Sequence, residues 1–94
     1  MKQGGIVRWS RYSGIRIYKD GWRTSVELPA SQPFGPTTRR YGCVWEEPNG
    51  FHGYYEVEGA GELEDIEVGP FQSESEARRT VEQLLKQTYP NSLK

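Results

Sequence analysis

Val68-Gly69-Pro70-Phe71-Gln72-Ser73-Glu74-Ser75-Glu76-Ala77, running on to Lys86, is where an extended segment stops and a helix starts. Ser73 and Glu76 have the spacing of a capping box: the Ser73 hydroxyl can accept from the Glu76 amide while the Glu76 carboxylate reaches back to the Ser73 amide. Behind the cap, Ala77, Val81, Leu84, Leu85 and Thr88 recur at helical spacing and form a narrow apolar stripe. Glu74 with Arg78 and Glu82 with Lys86 are acid-before-base pairs on the wet side, worth about 0.3 kcal/mol each. Tyr89-Pro90 ends the run, because a residue before proline is biased out of the helical region. Such a helix needs a sheet to cover, and everything before it reads as strand and turn.

Outward from that joint, Glu62 to Val68 is a strand with Ile66 and Val68 inward, entered through the turn Gly59-Ala60-Gly61 and left through Gly69-Pro70. Tyr41 to Glu47 and Phe51 to Glu58 flank Pro48-Asn49-Gly50 and form a hairpin with Asn-Gly at its tip. Alternation puts Tyr41, Cys43 and Trp45 on one face with Phe51, Tyr55 and Val57, leaves a gap or bulge at Gly53, and sends His52 to the other face. Pro29 to Arg40 holds three prolines and no usable period, so it reads as a surface loop with Phe34 as its anchor. Gly14 to Lys19 and Trp22 to Leu28 flank Asp20-Gly21, a dipeptide favoured in two-residue hairpin turns. That register faces Lys19 with Trp22 and Ile15 with Val26, burying Ile15, Ile17, Val26 and Leu28 and leaving Arg16, Tyr18 and Arg23 outward. Ile6 to Trp9 is a further short strand. The expected fold class is α+β, an antiparallel sheet of about five strands with one C-terminal α-helix packed on one face. Residues 1–90 form a single domain, 91–94 a tail, and the second sheet face stays wet.

The 94 residues support one small core, aromatic rather than aliphatic, and no deep cleft besides. One cysteine, Cys43, and one histidine, His52, exclude an internal disulfide and a Cys/His metal site, so no metal and no cofactor is expected. A Cys43/His52 dyad would need both side chains on one face, and simple alternation separates them. The acidic strands imply no pocket of the glycosidase kind. Gly59-Ala60-Gly61 lacks the lysine and following helix of a phosphate loop. The expectation is therefore no enzyme and no catalytic residue. With no signal segment or membrane-length apolar run visible, a soluble cytoplasmic protein is expected.

Charge is the informative quantity. Residues 1–40 hold eight basic side chains against two acidic, and residues 41–94 hold four against eleven, although the net charge is only -1. A protein is thereby marked for a charged partner, unless the two halves neutralise one another side by side. Two surfaces are candidates. The acidic strands offer Glu56, Glu58, Glu62, Glu64 and Glu67 to a basic groove. The basic and aromatic hairpin offers Arg8, Arg16, Tyr18, Arg23, Arg39 and Arg40 to nucleic acid, by phosphate neutralisation and base stacking.

The segment Val68-Gly69-Pro70-Phe71-Gln72-Ser73 followed by Glu76-Ala77 resembles the strand-to-helix joint of the arm-type DNA-binding domains of phage integrases, which are three strands plus a helix. A similar joint occurs in the peptidoglycan-binding repeat of bacterial division proteins. The resemblance spans Glu67 to Lys86, and the sheet departs from it, since the integrase domains are basic throughout and the last two strands here are acidic. In size, aromatic sheet and lack of a catalytic set, the chain is similar to the small inhibitor proteins of bacteriophages and mobile elements, of which anti-CRISPR proteins are one class. That likeness implies a protein or protein-nucleic-acid machine, such as a CRISPR effector, as partner. Direct nucleic-acid binding is the alternative. No membrane partner is expected, and an open sheet edge at Ile6 to Trp9 or Glu62 to Val68 leaves monomer and homodimer both open.

Overall fold

The computed structural model describes residues 8–16, 19–28, 35, and 37–90, without the side chains of 14–16 and 19. Five strands, β1 (Ser10–Arg16), β2 (Lys19–Leu28), β3 (Thr38–Glu47), β4 (Gly50–Gly59) and β5 (Glu62–Phe71), precede one helix, α1 (Glu74–Thr88). The sheet is an antiparallel meander in which spatial order equals chain order, β1-β2-β3-β4-β5. This is the expected α+β architecture. None of the described helices is long and apolar enough to cross a membrane.

The cap forms as the spacing requires, with the Ser73 hydroxyl accepting from the Glu76 amide at 3.2 Å. The Glu76 carboxylate reaches back one residue further than expected, to the Gln72 amide at 3.3 Å. Three stripe residues, Ala77, Val81 and Leu85, are fully buried, while Leu84 is half-buried and Thr88 exposed. The fully buried set therefore has i, i+4, i+8 spacing, narrower than the stripe. Each large aliphatic side chain so buried contributes roughly 1.5 to 3 kcal/mol.

The helix lies over β3 and β4. Gly42 and Gly53 make its seat: a Cβ at Gly42 would stand 2.5 Å from Val81 Cγ1 and 2.9 Å from Leu85 Cδ1, and one at Gly53 would stand 2.7 Å from Val81 Cγ2. The gap expected at Gly53 is therefore occupied by the helix. Even-numbered residues of β2 and β3 and odd-numbered residues of β4 share this face, because Trp22 pairs with Val44, Thr24 with Gly42, Val44 with Gly53 and Gly42 with Tyr55. Val26, Val44, Ala77, Val81 and Leu85 form the core, with Trp9, Trp22, Phe51, Tyr55, Val68, Phe71 and Tyr89 packed around it.

Several expectations are corrected. Tyr41, Cys43 and Trp45 point away from the helix, since Gly42 and Val44 take the inner face, so the anticipated phase of β3 is off by one residue. Asp20-Gly21 is not a turn but lies within β2, where Gly21 pairs with Tyr12 on one side and Trp45 on the other. The reversal falls between Arg16 and Lys19, which pair with each other, and Ser10 to Ser13, read as a connection, belong to β1. Pairing with β3 continues from Leu28 to Gly21, and such a ladder outweighs the preference of one dipeptide for a turn. Arg8 and Trp9 precede β1 rather than forming a strand, and Ile6, Val7, Ile17, Phe34, the tail and the side chain of Ile15 lie outside the described residues. Thr38, Arg39 and Arg40, read as loop, belong to β3.

Strand β5 also continues past Val68. Gly53 pairs with Val68 but Phe51 with Phe71, so one extra residue is accommodated around Gly69-Pro70, a bulge. The bulge changes the parity: Ile66 and Val68 share the helix face with Phe71, which then packs on the core beside Phe51.

Gly42→Ala should lower stability by about 1 to 3 kcal/mol through overpacking against Val81, and Ser73→Ala by about 1 kcal/mol through loss of the cap. Both should appear as lower urea midpoints with an unchanged denaturant slope; an unshifted midpoint for Gly42→Ala would contradict the seating of the helix.

Candidate interaction surfaces

The register fixes what the face away from the helix presents. One row across the strands is Ser10, Arg23, Cys43, Tyr54 and Glu67, and the next is Ser25, Tyr41, Glu56 and Asp65. Because strands follow one another in chain order, the basic first half and the acidic second half of the sequence become the two sides of this face. They do not interleave wholesale.

On the basic side, the Arg23 guanidinium lies 4.0 Å from the Tyr12 ring centroid and 4.3 Å from that of Tyr41. A cation held over two aromatic faces is attracted by both ring quadrupoles. Arg39 pairs with Glu27 at 3.8 Å and donates to the Ser25 hydroxyl at 3.3 Å. Arg40 is buried, 8% exposed, and its guanidinium donates to the Arg39 carbonyl at 2.9 Å and to Glu58. Arg8 is exposed, while the side chain of Arg16 and all of Tyr18 lie outside the described residues. Of the six basic and aromatic candidates, then, Arg23 and Arg39 lie on one face, Arg40 is internal, and Arg8 stands at the start of the chain's first described segment.

The acidic candidates divide as well. Glu56 accepts from the Tyr41 amide at 2.9 Å, where the β3-β4 ladder ends, and the Tyr89 hydroxyl donates to the Glu56 carbonyl at 3.1 Å. Glu58 is the partner of Arg40. Those two carboxylates, with Arg40 and Tyr89, fill the opening between the ends of β3 and β4. Glu62, Glu64 and Glu67 are exposed on β5, together with Asp65. Glu62 and Glu64 fall on the helix side of the strand and Asp65 and Glu67 on the other, so β5 is acidic on both. A shallow cavity of about 370 Å³ lies at its start, lined by Arg40, Glu58, Glu62, Leu63 and the turn.

The face away from the helix is not uniformly wet. Cys43 and Trp45 are each 1% exposed there. The Trp45 ring stacks with His52 at 6.0 Å and meets Tyr54 at 5.9 Å, and its Nε1 donates to Glu47 at 2.7 Å. Cys43 and His52 thus share a face after all, contrary to the alternation argument. They still lack a nucleophile's arrangement. Burial pushes the Cys43 thiol up from its ordinary value, the hydroxyl bonded to it belongs to Tyr54, and His52 Nε2 is engaged with Asn49 Oδ1 at 2.8 Å. Tyr54 is likewise pushed up, first by burial and then by its bond to Cys43. Among the described residues, no three carboxylate, imidazole or thiol groups converge in a way that could hold a metal ion.

A second basic and aromatic group lies on the helix side, unforeseen from the sequence. Trp22 is flanked by the guanidinium of Arg11 at 5.1 Å and that of Arg78 at 5.2 Å, and Arg78 also lies 5.9 Å from Trp9. Trp9 Nε1 donates to Glu82 at 2.7 Å, and Arg78 is paired with Glu74. A groove of about 420 Å³ opens there, lined by Trp9, Ser75, Arg78, Arg79 and Glu82. Helical periodicity placed Arg78 on the solvent side; only the pairing of β1 with β2 could reveal the tryptophans beside it.

Neither a protein family, nor a characterised protein, nor a solved structure matches this chain.

The Cys43 and Tyr54 shifts give a pH dependence of stability. Both groups hold their proton more tightly folded than unfolded, so their contribution is complete below the ordinary values, 9.0 and 10.0, and is lost as pH rises above them. The thermal midpoint should fall as pH rises past about 9, and less steeply in Tyr54→Phe. Equal slopes would show that the thiol-phenol pair is not responsible.

Proposed function

We propose that this chain is a small non-enzymatic binding protein of the inhibitor type carried by phages and mobile elements. Its target is a protein or protein-nucleic-acid machine, such as a CRISPR effector, and its contact surface is the acidic ribbon of β4 and β5. The observation that carries the reading is the distribution of charge: β4 and β5 contain no lysine or arginine, and Glu62, Glu64, Asp65 and Glu67 are exposed at the margin of the sheet. Fields of one sign at a protein's edge steer it toward basic grooves, including those that bind nucleic acid. The acidic candidates contribute unequally. Glu56 and Glu58 brace the sheet, so Glu62, Glu64 and Glu67 carry the recognition.

Direct nucleic-acid binding through the hairpin is the second reading, favoured by the Tyr12-Arg23-Tyr41 stack. It ranks lower because Arg40 is buried against Glu58, Arg39 is paired with Glu27, and the acidic strands border the same face. A polyanion approaching Arg23 meets Glu56 two strands away and Asp65 three.

Triple substitution of Glu62, Glu64 and Glu67 by lysine should abolish capture of the target from a bacterial host lysate, and heparin should compete with the native chain for it. Unaltered capture by the triple variant would remove the acidic ribbon from consideration. Labelled DNA and RNA titrated at low and moderate salt should give no salt-sensitive shift; a clear one would put the second reading first.

A further inference from the structure

Strand β5 ends the sheet order, so one of its backbone edges faces no other described strand. Proteins ordinarily protect such an edge by shortening it, by placing lysine or proline in it, or by covering it. Here the strand is ten residues long, Glu62 to Glu67 are all exposed, and the helix lies mainly over β3 and β4. Its bulge and its proline come only after Val68. From Glu62 to Val68, the outward N–H and C=O groups form a regular template. Two exposed large apolar side chains stand on it, Leu63 at 50% and Ile66 at 38%, on opposite faces.

Charge determines what this template accepts. Directly opposite residues of an antiparallel pair share a face, so a second copy aligned with Leu63 against Leu63 would set Glu62 opposite Glu64, and one aligned with Ile66 against Ile66 would set Asp65 opposite Glu67. Like charges directly opposite destabilise a strand pair, so the edge is guarded against itself. An extended segment rich in lysine or arginine has the opposite property: its backbone completes the ladder and its cations meet carboxylates on both faces.

We propose that β5 receives an extended, lysine- or arginine-rich segment of a partner protein as a sixth antiparallel or parallel strand. This rests on the acidic-ribbon reading and specifies its contact. Backbone pairing supplies the register, Glu62 and Glu64 on one face and Asp65 and Glu67 on the other select cations, and Leu63 and Ile66 receive apolar side chains between them.

The probe is a synthetic peptide of alternating lysine with threonine and valine, beside a second peptide of identical sequence N-methylated at every amide, so that neither of its edges can donate. With the full chain at low salt, the first should slow amide exchange at alternate residues between Glu62 and Val68, and the second should not. Adjacent residues of a strand point their N–H groups to opposite edges. Of Glu64→Pro and Asp65→Pro, one therefore removes an outward donor and keeps the β4 ladder. That variant, folded by circular dichroism, should lose the peptide. Equal binding of both peptides, or full binding by the folded proline variant, would overturn strand addition while leaving the acidic ribbon in place. Binding of neither peptide would overturn strand addition, and the ribbon reading would then stand or fall on the lysine triple variant alone.

Discussion

The contact on which the fold depends is Val81 set into the depression left by Gly42 and Gly53. The two glycines sit on neighbouring strands where a side chain would collide with the helix at 2.5 to 2.7 Å. Close approach lets Val44, Val26, Ala77 and Leu85 meet around the same point. A domain of this size has few aliphatic residues to bury, so its margin over the unfolded chain comes from tight contact rather than from volume. The aromatic residues Trp9, Trp22, Phe51, Tyr55, Phe71 and Tyr89 are only partly buried and pack against this aliphatic cluster.

Meander topology turns a gradient along the sequence into a gradient across the molecule. Basic residues gather on β1 to β3 and around the start of α1, and acidic residues on β4 and β5. At the middle strand the two signs meet, where Arg39 faces Glu27 and Arg40 reaches Glu58. Those exchanges are structural as much as electrostatic, since Arg40 and Glu56 occupy the opening between strands that would otherwise part. The edge strand lies farthest from the basic side.

The helix, its cap and two of the connections were legible because each rests on local chemistry: a hydroxyl and carboxylate three apart, a 3.6-residue period, Pro-Asn-Gly and Gly-Ala-Gly. The strand faces were less so. In Tyr41-Gly42-Cys43-Val44-Trp45 both alternating sets are apolar enough to be buried, and both are, Gly42 and Val44 against the helix and Cys43 and Trp45 behind. Alternation cannot choose between two such sets; the small residue marks the helix side, because the helix must come close. Asp20-Gly21 misled for a related reason, as its glycine stands beside Trp45 within the ladder. The charged surfaces were visible as composition but not as partnerships. Which carboxylates brace the sheet and which remain at its margin follows from the register alone.

One contact reaches across nearly the whole chain. The Trp9 indole donates to Glu82 of α1, and the helix itself closes on strands formed far earlier. The meander pairs neighbours in sequence and can assemble as synthesis proceeds, with low topological cost. Its inner surface, however, stays bare until Leu85 has left the ribosome. During translation the meander is thus a ribbon with one greasy side, and α1 is the segment that ends its stickiness.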